Sequence, residues 1–149
     1  MKGEIYFPLF YCILPSTNSG SKKMEGYSFK KEERLCSQKI IGDMFASGES
    51  FLSYPLKVVF QKTESSQAYN VQAAFTVSKR NFKRAVNRNL LKRRMREAFR
   101  LNKPGFYDEL ATKELHIAVM FVFIGKDLIE FPIIEKAMIS AFKKLLSKI

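Results

Sequence analysis

The stretch from Lys79 to Lys103 constrains this 149-residue chain more than any other. It holds eleven Lys or Arg against one acid, Glu97, so a local charge of +10 accounts for nearly all of the +12 carried by the whole chain. The remainder is close to neutral. Positive charge concentrated on one element is the footprint of a polyanion partner. The composition predicts a helix from about Lys83 to Leu101, free of internal Gly or Pro and rich in Leu, Arg, Lys, Ala and Met. Asn81 is placed to cap its start, and Pro104-Gly105 to break the chain after it. Arg88, Lys92, Arg96 and Arg100 are spaced four apart and stack into one stripe, with Asn89 and Arg93 beside it. Leu90, Leu91, Met95, Ala98 and Leu101 lie mostly away from the stripe and are expected to face a core. A solvated basic face without a partner would cost stability, because like charges four apart repel. Nucleic acid is therefore the better explanation.

The residues AVNRNLLKRRMRE resemble the signature helix of the bacterial ribonuclease P protein family. Ala85, Val86, Arg88, Asn89, Lys92, Arg93, Arg96 and Glu97 carry the match, and Val77-Ser78-Lys79-Arg80 is similar to the strand end before it. The resemblance extends from about Phe29 to the C-terminus. Two departures are visible. Asn81-Phe82-Lys83 stands where the family often has a Gly-containing loop, and Ile41 stands near a position where it often has an aromatic.

The chain has room for one domain, expected over residues 27–149. Residues 1–26 break in composition at Ser16 to Lys23 and are expected to lie outside it. They read as a disordered tail, or as an extension upstream of a start at Met24, rather than as an export signal. Cys12 and Cys36 form neither a disulfide framework nor a metal-ligand cluster and are expected as free thiols in a reducing cytosol. No run approaches a membrane span.

Within the domain, a first helix is predicted from Lys31 or Ser37 to Ala46, stopping at Gly48, with Leu35, Ile40, Ile41, Met44 and Phe45 apolar. Phe51 to Lys62 reads as strand, with Pro55 as a break or edge position. Asn70 to Lys79 alternates apolar and polar and reads as its paired strand. Leu115 to Ile124 is almost continuously apolar, as for a central strand covered on both faces. Pro132 suits the first turn of a final helix striped by Ile134, Ala137, Met138, Ala141, Phe142, Leu145 and Leu146. The order α-β-β-β-α-β-α predicts an α+β two-layer sandwich with a mixed sheet of about four strands. A right-handed crossover is the general rule; the family resemblance implies a left-handed one.

The chain shows no catalytic constellation. His116, the one histidine, falls in the apolar strand, and Asp43, Asp108 and Asp127 are scattered, so no catalytic residue and no metal ligand is assigned. A binder is expected. The resemblance implies the protein subunit of an endoribonuclease that removes the 5′ leader of precursor tRNA in the cytoplasm, with the active site and its Mg²⁺ held mainly by the RNA subunit. It implies RNA-subunit contacts from Arg84, Arg88, Asn89, Lys92, Arg93, Arg96 and Arg100. It also implies a leader-binding cleft, for which Phe29, Ile41, Phe45, Phe60, Phe75, Ser78 and Lys79 are the candidates. Phe75 reads equally well as core. No membrane or DNA partner is expected. The alternative is a non-catalytic RNA-binding or ribosome-associated protein, since such sandwiches serve several functions.

Overall fold

The computed structural model describes residues 28–63 and 69–149. The expectations for residues 1–26 and for most of the polar turn at 63–69 lie outside the described residues. A short 3-10 turn, Lys31–Glu33, leads into α1 (Gln38–Ser47). Then follow β1 (Glu49–Ser53), β2 (Leu56–Lys62), β3 (Val71–Val77), α2 (Ala85–Thr112), β4 (Ile117–Phe123) and α3 (Phe131–Lys148). This is the expected α+β order, with a four-stranded mixed sheet.

Each boundary has a local cause. Ser37 caps α1 by accepting a hydrogen bond from the Ile40 amide at 3.5 Å. Gly48 ends it: a Cβ there would sit 2.3 Å from the Met44 carbonyl oxygen, which accepts the Gly48 N–H at 2.9 Å. Tyr54 and the cis-linked Pro55 separate β1 from β2, so the single stretch Phe51 to Lys62 is a hairpin. Pro132 occupies the first turn of α3, where its missing N–H is harmless.

Three expectations are corrected. The sheet order is β1-β2-β4-β3, so β3 does not pair with β2. Its strand partner is β4, in parallel, with an isolated bridge from Ala73 to Arg34 on its other side, while β2 pairs with β4 antiparallel. The most apolar strand takes the centre, where both faces are covered and both edges are hydrogen-bonded. Second, α2 does not stop before Pro104; it runs 28 residues with Pro104 inside. The proline removes the N–H that would bond the Arg100 carbonyl. Phe106 and Leu110 beyond it are fully buried, and Phe106 stacks on Phe142 of α3 with centroids 4.5 Å apart. That packing holds the continued helix. Third, Leu90 and Leu101 are exposed, and the buried face of α2 is Leu91, Met95, Ala98, Phe99, Lys103, Phe106 and Leu110.

The main core lies between one sheet face and α2 with α3. Leu56, Val58 and Phe60, Val71, Ala73 and Val77, and Ile117, Val119, Phe121 and Phe123 supply the sheet side. Phe99 is its hub, with ring centroids 5.5 to 5.8 Å from Phe29, Phe75, Phe121 and Phe142. The alternate residues Val59, Ala118 and Met120 face the other way, and there Leu35 and Met44 cover them, with Ile40 and Ile41 at the margin. Two bonds tie the edge strand to α3: Ser53 Oγ donates to the Ala137 carbonyl at 2.9 Å, and Lys144 Nζ to the Leu52 carbonyl at 2.9 Å.

Candidate nucleic-acid interface

Helix α2 enters the molecule from Arg84, whose backbone is extended and whose side chain makes no cap. Asn81 is not the cap either. Its amide instead donates to the carbonyls of Ile124 and Gly125 at 3.5 and 3.4 Å, pinning the loop before α2 to the end of β4. The predicted stripe of four cations is real but twisted. A four-residue step turns 400°, so each cation sits about 40° further round than the last. Arg88 therefore starts close to the body of the protein. Its guanidinium is half-buried and one nitrogen donates to the carbonyls of Phe82 and Lys83, both at 2.7 Å. Lys92 is half-buried, while Asn89, Arg93 and Arg96 stand in solvent. Arg84 is exposed at the head of the ridge. Arg94, off the stripe, donates to the Ile129 carbonyl and belongs to the packing of α2 on the loop before α3.

At the far end Arg100 holds Glu97 in a two-point pair, with distances of 2.6 and 2.9 Å. The Arg100 hydrogen bonds hold the Glu97 carboxyl below its ordinary range, against partial desolvation. The same contact raises the Arg100 guanidinium. The single acid of the segment is thus committed to one cation, and the rest of the ridge keeps its field.

The seven cleft candidates do not converge. Phe60 is only 3% exposed and points into the main core, and Phe75 packs there between Phe29, Phe99 and Phe121. Phe29 belongs to the same cluster. These three are on the opposite sheet face from Ile41, which lies half-buried on the second cluster. Phe45, one turn on from Ile41 along α1, is 66% exposed. Ser78 and Lys79 are exposed at the end of β3, where the Ser78 hydroxyl accepts the Arg80 amide at 3.1 Å.

Beside α1 the second sheet face carries a row the sequence reading missed. Leu52 pairs with Lys57, Lys57 with Val122, and Val122 with Thr76, so these four stand side by side across all four strands. Leu52 is 59% exposed, Lys57 is exposed and Thr76 and Val122 are half-buried. Period-two alternation pointed to this face as much as to its opposite. Only the sheet order shows which face the two long helices cover.

Among the described residues no three His, Cys, Asp or Glu side chains group as a metal-ligand set. No helix among them is long and apolar enough to cross a membrane. Cys36 is a free, exposed thiol. The His116 Nδ1 is buried without a partner.

Comparison with known proteins places this geometry. The family model described as Ribonuclease P matches residues 29–146. The ribonuclease P protein component of Porphyromonas gingivalis is 35% identical over 112 residues, covering 75% of this chain and 82% of the relative. That of Chlorobium phaeobacteroides is 39% identical over 105 residues, covering 64% of this chain and 72% of the relative. Among solved structures, the ribonuclease P protein of Staphylococcus aureus superposes with a TM-score of 0.60 at 18% identity, over 76% of this chain and 94% of that one. The Thermotoga maritima protein gives 0.58 at 22% identity, over 74% and 96%. The basic helix, the sheet it crosses and the relatives agree: the chain belongs to the ribonuclease P protein family and is the protein component of that enzyme.

Proposed function

We propose that this protein holds two RNAs on two surfaces. The exposed part of the α2 ridge, Arg84, Asn89, Arg93 and Arg96, with the half-buried Lys92 and Arg100 at its flank, takes the phosphates of the RNA subunit. The open sheet row Leu52, Lys57, Val122 and Thr76, with Ile41 and Phe45 on α1 and Ser78 and Lys79 at the end of β3, takes the unpaired 5′ leader of precursor tRNA. Apolar and aromatic groups there receive bases, while Lys57 and Lys79 supply charge for the backbone. The observation that carries this reading is the pairing of a cation ridge on one element with an apolar, partly cationic face left uncovered by the long helices.

In this reading the RNA subunit carries the active site, and the catalytic Mg²⁺ ions are assigned to it. Bound there, they would activate water and stabilise the charge developing on the scissile phosphate. The described residues offer no acidic cluster to hold them. The chain's own work is to bind and orient: neutralising phosphates releases counterions and lets two polyanions approach. Its place of work is then the cytoplasm.

The test is precursor tRNA affinity of the assembled enzyme, with long-leader and leaderless substrates. Phe45→Ala and Lys57→Ala should weaken binding of the long-leader substrate about tenfold, within the range for one lost stack or contact, and leave the leaderless one unchanged. Equal losses on both substrates would defeat the leader assignment.

A further inference from the structure

A cavity of about 250 Å³ lies where the lead-in to α1 crosses α2, lined by Ser28, Lys30, Glu33, Tyr69, Lys103, Pro104, Tyr107 and Asp108. Its floor is a buried charge cluster. Lys103 Nζ donates to Glu33 Oε1 at 2.6 Å and to the Ser28 carbonyl at 2.5 Å, Tyr107 donates to the same carboxylate oxygen at 2.8 Å, and the Lys30 amide donates to Glu33 Oε2 at 2.7 Å. Glu33 and Lys103 are 1% and 6% exposed at the side chain. The cavity has two tyrosines, a proline ring and four charged side chains on its walls.

Its position on α2 matters most. Arg96, Arg100, Lys103 and Tyr107 are spaced four, three and four, so they lie within one narrow sector of the helix. The cation ridge therefore runs directly into the cavity. From Arg100 to Tyr107 is about 10 Å along the axis, a step that a nucleotide strand following the ridge can span. The cavity is not itself an anion trap: Lys30 and Lys103 are balanced by Glu33 and Asp108. Tyr107 is taken up by Lys103 over its ring and by its hydroxyl bond to Glu33; what the cavity offers is the aromatic ring of Tyr69 and a hydrogen-bonding edge from Asp108. That suits the uncharged part of a nucleotide, whose phosphate stays on the ridge.

We propose that this cavity receives one unstacked nucleobase of a bound RNA, at the C-terminal end of the α2 ridge. The inference rests on the ridge being an RNA surface. The base stacks on tyrosine, as in proteins that hold single-stranded RNA, and Asp108 accepts from its exocyclic amine. The base comes either from the RNA subunit or from precursor tRNA.

The experiment measures binding of the full chain to each RNA separately over a salt series, for wild type, Tyr69→Ala, Asp108→Ala and Arg96→Ala. Tyr69→Ala should weaken one of the two RNAs about fivefold to a hundredfold, the range for one stacked base, with the salt slope unchanged because no phosphate contact is lost. Asp108→Ala, at an exposed position, should weaken the same RNA without altering the melting temperature. Cytidine and adenosine monophosphates, each with an exocyclic amine, should shift the amide resonances of Tyr69 and Asp108. The RNA that responds identifies the source of the base. Full affinity in both variants, with no shift from either monophosphate, overturns the pocket. If Arg96→Ala still lowers affinity and slope in that case, the ridge assignment stands. If Arg96→Ala also binds normally, both fall.

Discussion

The rings of Phe75 and Phe121 lie nearly parallel, 13° apart with centroids separated by 5.5 Å, on neighbouring parallel strands. Of the two readings of Phe75, as core and as ligand platform, that contact supports the core. The face that holds it is roofed by Phe99 and Phe29. Phe75→Ala should therefore cost about 3–5 kcal/mol of stability, read from urea unfolding. Phe75→Leu should keep most of the fold. A Phe75→Ala protein of unchanged stability that lost only leader discrimination would return the residue to the cleft.

The cations of α2 should separate into two kinds. Arg93→Ala and Arg96→Ala, at exposed positions, should each lower the salt slope of RNA-subunit binding by about one unit and shift stability by less than about 0.5 kcal/mol. Arg88→Ala should do more to the fold, because its guanidinium ties down the carbonyls of Phe82 and Lys83. Filter binding over a potassium chloride series, paired with thermal melts of the same proteins, distinguishes the two kinds. Equal stability losses for Arg88→Ala and Arg96→Ala would contradict it.

Glu97 is the one negative charge on the ridge, and Glu97→Gln should tighten RNA binding at low salt. It also carries a pH signature. Because the Arg100 contact depresses the Glu97 pKa, its stabilising effect is present above the ordinary value of 4.5 and fades as pH falls below it. The pair is exposed and screened, so the effect is small. Melts of wild type and Glu97→Gln should differ at neutral pH and converge in acid; a difference that grew on acidification would have the wrong sign.

Breaking the buried pair at the floor of the cavity should be severe. Lys103→Met leaves the Glu33 carboxylate without its cation, at a cost of about 3–5 kcal/mol. The double variant Lys103→Met with Glu33→Leu should recover much of that loss, since no buried charge then lacks a partner. Chemical denaturation of both single variants and the double one gives the coupling directly, and strict additivity would show that the two side chains do not act as a unit.

How far the sequence could be read depended on how local each cause was. The stop at Gly48 and the Pro132 entry to α3 each follow from one or two residues and were legible, while the sequence leaves the start of α1 open between Lys31 and Ser37 and Pro55 between a break and an edge position. Continuous apolarity placed β4 at the centre. It did not say that β4 would come between β2 and β3, because pairing order is a long-range choice among strands of similar pattern. The persistence of α2 through Pro104 was hidden for the same reason: the Phe106–Phe142 stack that sustains it joins distant segments. At the site, the exposed cations could be read from their spacing. The cleft could not, because alternation shows that a strand has two faces without naming the one that α2 and α3 will cover.

Helix α2 leaves the edge strand β3 and returns to β4 beside it, and Leu91, Met95 and Phe99 beneath the ridge are wholly buried. The surface proposed to meet RNA is therefore anchored in the main core, the part expected to open last. Its amides should exchange with solvent only when the whole domain unfolds, while those of α1, packed on the smaller cluster, exchange sooner. Such a surface would meet an RNA partner already ordered, and the conformational adjustment on assembly would fall to the RNA.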